Sequence, residues 1–413
     1  MSDTKKKYIT FAGSQVDYLA QDRNEISLLR DELFELITNL PDYRSPEKIK
    51  YSIFELGASI IFSMMLHGDN LKQASIICSE KLELINEIFN INLKSAPSYD
   101  TMLRFLRKTD INKLEESYRK IMSGINNRRN EDSLIKSLAM DGKMFCSTCK
   151  ESEYTTKKKN PIICVTLIDT STGCILGEEY CQKKIGEKLA IKSLINRMEL
   201  DNSIVSIDAI ASDNNLCSLL DSKNIGFLIQ VKDNWKSVRK GLQEAFKYPN
   251  SIKPRVKDCA YSEEINNTHS RSELRECMII RNRFALGLKS FDVPYIKTLV
   301  YLRNTVNIYK RETIQEHYYI SNRELTAKET LILCRKHWKI ETLHASLDLN
   351  FREDHSRLKN NSLKTYNLLC KIIIQFLKNK ETKFTFNNLR LKMCFDDNLV
   401  KKIFSYNSLI YSG

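Results

Sequence analysis

Three acids and their neighbours define the chemistry this chain can offer. Asp141 closes the apolar run Leu134–Met140 in AMDGK, Asp208 closes Ile204–Ile207 in SIDAI, and Glu341 lies in the helical segment HWKIETLH. Carboxylates at the carboxyl ends of apolar strands emerge at one edge of a sheet, where they can converge on a hard cation. Each acid also has an ordinary reading: strand-terminal Asp residues form turns, and a helical Glu can pair with a neighbouring Lys. The spacing around Glu341 favours a site, because His337 at −4, His344 at +3 and Asp348 at +7 fall on one helical face. That polar stripe faces a site, with Trp338 and Ile340 lying off it. Lys143, two residues after Asp141, shares its strand face, and Lys232 closes the strand Phe227–Val231. Either lysine can reach a phosphate or offset the repulsion between clustered acids. Cys146 and Cys149 form a C-x-x-C without two further ligands at zinc spacing, so they read as ordinary thiols. No phosphate-loop motif is present, and no nucleotide cofactor is expected.

The elements that must position these residues change character near residue 130. Before it, apolar residues recur at helical spacing, as in Leu28, Leu29, Leu33 and Leu36, then Ile53, Leu56, Ile60 and Ile61, which predicts an all-α region. Asn70–Asn92, a Ser-Ala-Pro-Ser turn and Tyr99–Arg107 read as helix, turn and helix, the second displaying Arg104, Arg107 and Lys108. Gly124–Ser133 reads as a linker. Beyond it, Leu134–Met140, Ile162–Ile168 and Cys174–Tyr180 read as a three-stranded meander. Helix Glu187–Met198, strand Ile204–Ile207, helix Asn215–Lys223 and strand Phe227–Val231 follow, giving the order β-β-β-α-β-α-β. Residues 259–322 alternate polar and apolar, as in Tyr295–Leu302 and Glu316–Ser321, and read as a β-rich insertion. From Thr326 a long helix carries Leu331, Leu333, Trp338, Ile340 and Leu343 towards and past Glu341.

Composition bounds the partners. The chain has 413 residues, with 65 Lys and Arg against 51 Asp and Glu, a net charge of +14 that points to a polyanion. With 42% hydrophobic residues and only 12 Gly and 7 Pro, it reads as folded and helix-rich rather than disordered. The most apolar stretch, Ala58–Leu66, is far shorter than the roughly 20 residues a bilayer requires, and no apolar segment follows the N-terminal lysines. The expectation is a cytoplasmic protein with no membrane partner, whose 12 scattered cysteines are reduced.

Several blocks, in order, carry a resemblance: AMDGK at 139–143, SIDAI at 206–210, IQVKDN at 229–234, HSRSELR at 269–275, HWKIETLHASLDLNFRED at 337–354 and SRLK at 356–359. From about Asp31 to Lys378 the chain resembles the H-repeat-associated DDE transposases, a group of bacterial insertion-sequence enzymes. The resemblance implies an α/β fold, an RNase H-like mixed sheet with a β-strand insertion, preceded by an all-α N-terminal domain. The expected division is 1–125 for DNA-end recognition, 126–258 for the first part of the catalytic core, 259–322 for the insertion, 323–380 for the second part, and 381–413 for a tail.

Carried over residue by residue, the resemblance makes Asp141, Asp208 and Glu341 the catalytic triad and the ligands of two Mg²⁺ or Mn²⁺ ions. Cutting a phosphodiester requires a deprotonated nucleophile and a stabilised leaving alkoxide, both beside a polyanion, and paired divalent ions supply both effects. Related transposases place basic residues at −4 and +7 from the Glu to contact phosphate. Here those positions hold His337 and Asp348, so His337 and Arg335 are the candidates for that contact. Lys143, Lys232, Arg271, Arg275, His344, Arg352 and Arg357, with the run Lys157-Lys158-Lys159, are further candidates for DNA contact. FCSTCK after Asp141 departs from the small and basic residues usual there. The implied activity is cutting at terminal inverted repeats and joining 3′-OH ends to target DNA, by a homodimer on paired ends that associates with the nucleoid when bound. A DNA-binding relic without chemistry is the alternative; a general RNase H-like nuclease fits less well, given the insertion and its HSRSELR block.

Overall fold

The structure is a computed structural model. It describes residues 29–126, 136–149, 161–182, 184–208, 213–247, 259–267, 271–281, 294–309, 311–378 and 384–405, with short strand pieces at 8–9 and 15–16. The candidate DNA contacts Lys157, Lys158 and Lys159 lie outside the described residues.

The chain opens with helices α1 (Leu29–Thr38), α2 (Ile53–Met65), α3 (Leu71–Glu80), α4 (Leu82–Phe89), α5 (Tyr99–Lys108) and α6 (Ile111–Asn126). Their starts follow local chemistry. Ser52 accepts from the Glu55 amide while the Glu55 carboxylate accepts from the Ser52 amide, which fixes the first turn of α2. Asn70 accepts from the Lys72 and Gln73 amides and Ser98 from the Thr101 amide, capping α3 and α5 by the side chain alone. The stretch Asn70–Asn92, expected as one helix, is two: at Lys81 the backbone leaves the helical region (φ −108°, ψ 21°). Its apolar residues Ala74, Cys78, Ile85 and Phe89 are all buried and keep helical phase across the break, which is why periodicity alone hides it.

Next come strands β1 (Lys136–Met144), β2 (Ile162–Asp169) and β3 (Ile175–Gln182), helix α7 (Lys184–Arg197), strand β4 (Ser203–Ile207), helix α8 (Asn214–Ser222), strand β5 (Gly226–Val231) and helix α9 (Lys236–Ala245). Strands β6 (Ala260–Asn267), β7 (Arg271–Ile280), β8 (Thr298–Ile308) and β9 (Arg311–Ser321) follow. The chain then enters α10 (Ala327–Phe351), α11 (Asn360–Lys378), α12 (Phe386–Phe395) and α13 (Asp397–Ser405). Two compact units result, one of residues 1–131 with 346–413 and one of residues 132–345, a division that differs from the five segments read in the sequence.

In the first unit α11 packs on α2, α5 and α6 through an apolar stretch that includes Leu368, Leu369, Ile372, Ile373 and Phe376. Arg390, fully buried, donates to the carbonyls of Met64 and Asn350 and to Asp69, 2.6–2.7 Å each, and lies 4.4 Å from the Phe351 ring. It thereby ties the last turn of α10 to the helices around it.

The second unit is built on one nine-stranded mixed sheet in the order β3-β2-β1-β4-β5-β9-β8-β7-β6. Strands β1, β4 and β5 run parallel, joined by the helical crossovers that parallel pairing requires, and every other pairing is antiparallel. Alternation divides the side chains between two faces. Leu138, Met140, Val205, Ile207, Phe227 and Ile229 pack with Ile191, Leu194, Leu216 and Leu220 of α7 and α8. Ile204, Leu228, Ile279 and Val300 pack on the opposite face with Leu331 and Cys334 of α10. The β-rich segment 259–322 contributes four antiparallel strands that continue the same sheet beyond β5. No helix among the described residues is long and apolar enough to cross a membrane.

Candidate active site

The site arises where parallel pairing stops. β4 pairs with β1 only as far as Ile207 opposite Met140, whereas β2 stays paired with β1 out to Met144. Asp141 therefore lies inside its strand rather than at its end, as the sequence suggested, because the antiparallel partner holds the backbone extended past it. On the β4 side the same residue is the first beyond the ladder. Continuing that register by one position sets Asp141 beside Asp208, on strands about 4.8 Å apart. Leu138 and Met140 face α7, so Asp141 and Lys143 face α10 by alternation.

Helix α10 begins with a second capping box, Thr326 with Glu329, and crosses this face of the sheet. Two histidines dock it. His337 Nδ1 lies 2.9 Å from Ser206 Oγ, and His344 Nδ1 lies 3.3 Å from Asp141 Oδ2. Glu341 sits between these two contacts on the same stripe; it is exposed and accepts no hydrogen bond from any described residue. A cleft of about 260 Å³ opens beside it, lined by Asp208, Glu341, Lys232, Gln230, His317 and Tyr319 among others.

The electrostatics of the cleft follow from these neighbours. Burial works against the Asp141 charge, but the His344 hydrogen bond and the charges of His344 and His337 more than offset it, holding its carboxyl below the usual range. The Lys232 ammonium is 2.9 Å from Asp208 Oδ1. Tyr319 stays a neutral phenol: burial, the Cys334 thiol and then the charges of Asp208 and Glu341 push it far above its ordinary value. His317, bonded through Nδ1 to Gln230 at 2.8 Å, is pushed down by burial and by Lys232, with Asp208 acting in the opposite sense.

The other expected contacts fall in distinct places. Arg275 is buried, at 8% exposure, and holds Glu273 at 2.9 Å and Glu263 at 3.3 Å. Exposed Arg335 shares Glu263 at 3.1 Å. Trp338 is 49% exposed at the rim of the cleft, with the Arg275 guanidinium 5.7 Å from its ring. Lys143 is buried, its ammonium 5.9 Å from the Phe145 ring. Arg271 opens β7, and its side chain lies outside the described residues. Arg352, in the left-handed region at φ 49°, and Arg357 are exposed and belong to the compact unit that includes residues 346–413. Cys146 and Cys149 bound a single 3-10 turn. Sequence reading missed Ser206, His317 and Tyr319. Ser206 stood inside the SIDAI block, but nothing in the alternation of β9 distinguishes His317 or Tyr319 from ordinary sheet residues.

The donor set suits a hard divalent cation, since all three acids are carboxylates. No three His, Cys, Asp or Glu side chains among the described residues already form a metal-binding cluster, and two of the acids are engaged by protein groups, Lys232 and His344. The residues fit such an ion in kind, and those two contacts have to yield for it.

Residues 135–376 match the family described as "Transposase DDE domain", a span covering more than half of the chain. The chain belongs to that family. Residues 34–122 of this transposase match a second family, described as "DDE_Tnp_1-associated". "H repeat-associated putative transposase YhhI" of Escherichia coli (strain K12) is 22% identical, over 92% of this chain and 99% of that protein. "Putative transposase YncI" of Escherichia coli O157:H7 is 25% identical, over 86% of this chain and 92% of its own length. "Putative protein YbfL" of Escherichia coli (strain K12) is 23% identical, over 92% and 99%. Both matched families and these relatives identify the chain as an H-repeat-associated DDE transposase.

Proposed function

We propose that this transposase cuts DNA at the terminal inverted repeats of its own element and joins the released 3′-OH ends to target DNA, using Asp141, Asp208 and Glu341. The observation that carries the reading is the docking of α10: His337 on Ser206 and His344 on Asp141 bracket Glu341 over the point where β1 and β4 part. Asp208 and Glu341 line one cleft, and Asp141, on the neighbouring strand, meets His344 of the same helix, which supports the reading. The strand order β3-β2-β1-β4-β5, three antiparallel strands followed by two parallel ones, supports an RNase H-like core. When bound, two Mg²⁺ or Mn²⁺ ions held by the three carboxylates supply charge neutralisation and a lowered pKa for the attacking water.

The chain's own groups do the rest. At the cleft rim, Arg335, half-exposed and able to exchange its Glu263 partner for phosphate, meets the DNA backbone, and exposed Trp338 meets an apolar base or sugar face. Tyr319, neutral beside Asp208 and Glu341, walls the cleft without adding negative charge where a phosphate must approach. Arg104, Arg107 and Lys108 on the outer face of α5 make the N-terminal helices the candidate for end recognition, and handling two ends calls for a dimer.

Asp208→Asn tests the assignment. Mg²⁺-dependent nicking of an end-bearing duplex is expected to fall by more than about 100-fold, the upper range for disturbing even a metal ligand's outer partner, with DNA binding nearly unchanged. Nicking that survives the substitution removes Asp208 from the site. Wild-type protein that binds the ends but never cuts them is instead a DNA-binding relic.

A further inference from the structure

One of the two acids that line the cleft, Asp208, already has a cationic partner. Asp208 follows β4 and Lys232 follows the neighbouring parallel strand β5, so the two side chains leave adjacent strand ends and meet at 2.9 Å. Three permanently cationic side chains line the cleft, and the other two are committed elsewhere. Arg275 is held by Glu273 and Glu263, and Arg335 by Glu263. Lys232 is the one of the three that faces a triad acid.

Exposure separates Lys232 from Arg275, whereas Arg335, at 49%, differs from Lys232 in the acid it holds. The Arg275 side chain is 10% exposed and shares two carboxylates, so moving it would strand buried charge. The Lys232 side chain is 54% exposed, with the long flexible stem of a lysine, and can leave for water at small cost. Asp208 at 29% exposure, with exposed Glu341 on the same cleft, forms a negative centre that is costly without a counter-charge and attractive to any cation that arrives.

Resting on the triad reading above, we infer that Lys232 is a positioning residue: its ammonium is a built-in counter-ion that holds Asp208 in the metal-free protein and that a divalent cation must displace. Lys232 and the metal compete for the same carboxylate. The contact fixes the Asp208 side chain before metal arrives and lowers the apparent metal affinity. Once displaced, the ammonium stands at the cleft wall, where an approaching phosphate can take the place of Asp208.

The test is Mn²⁺ binding to the full-length, DNA-free protein, read by electron paramagnetic resonance of the free ion, with wild type, Lys232→Met, Lys232→Arg and Asp208→Asn compared. Lys232→Met keeps the apolar stem and removes the charge. It is expected to bind Mn²⁺ about two- to fivefold more tightly, the equilibrium factor of a half-exposed ion pair, while Lys232→Arg stays near wild type. Thermal unfolding gives a second readout: Lys232→Met is expected to melt below wild type in EDTA, with the gap closing as Mn²⁺ is added. Unchanged or weaker Mn²⁺ binding by Lys232→Met overturns the counter-ion role while leaving the triad intact, provided that Asp208→Asn abolishes binding. If Asp208→Asn binds as wild type does, or no protein binds, the triad reading fails and the counter-ion role falls with it.

Discussion

Asp141 shows how neighbouring histidines shift the pKa of a candidate site acid. Burial alone would raise its pKa, and the His344 hydrogen bond together with the charges of His344 and His337 reverses the direction. A carboxyl whose folded value lies below its unfolded one, about 3.9 for Asp, adds stability above that unfolded value and loses it as pH falls through the folded value. In EDTA, His344→Gln is therefore expected to be less stable than wild type at pH 5 to 6, and the two melting temperatures should converge as the pH falls past the unfolded value and through the lower folded one. A gap that persists at low pH would show that His344 acts through packing rather than through the Asp141 charge. His344 Nε2 is buried with no hydrogen-bond partner among the described residues, and only a protonated Nδ1 can donate to Asp141.

The strand β1 carries the geometry at the scale of an element. Gly142, between Asp141 and Lys143, lies against the carboxylate of Glu187 on α7, so closely that a Cβ there would overlap it. Glu187 is buried, and its carboxylate, the far end of a flexible side chain, must shift to admit a Cβ. Gly142→Ala is expected to cost about 1–3 kcal/mol through overpacking, measured by chemical denaturation. Because the residue adjoins Asp141, cleavage is expected to fall further than stability does. An alanine variant as stable as wild type would mean that Glu187 yields and that the close approach is incidental. The same strand explains why the site exists here, since β2 holds β1 extended to Met144 while β4 leaves it after Met140.

For the whole molecule, the net charge of +14 predicts an affinity for DNA dominated by phosphate contacts. If 6–10 phosphates are engaged, affinity is expected to fall by about 10³–10⁵ between 50 and 200 mM salt, read by fluorescence anisotropy. The two arginines that share Glu263 separate in that measurement by their exposure, 10% for the Arg275 side chain and 49% for that of Arg335. Arg335→Ala is expected to reduce the salt slope by about 1. Arg275→Ala should leave the slope unchanged but destabilise the fold, because Glu273 loses its 2.9 Å partner in a buried position. A shallower slope for Arg275→Ala at unchanged stability would move that residue into the DNA-contacting set.

Much of this protein is written in local pattern. Short, mainly apolar runs such as Ile204–Ile207 and Phe227–Val231 are buried on both sheet faces, Gln230 partly excepted, and are strands for that reason. The strand-ending position of Asp208 and the shared stripe of His337, Glu341 and His344 follow from periods of 2 and 3.6, which the chain carries by itself. Only tertiary structure decided which oxygens those histidines meet, that Arg275 is tied to acids on β6 and β7, that Tyr319 and His317 wall the cleft, and that residues 346–413 group with the N-terminal helices. Such pairings depend on strand register and on the line a helix takes across a sheet. Both are fixed by the packing of residues far apart in the chain, and no local spacing encodes them.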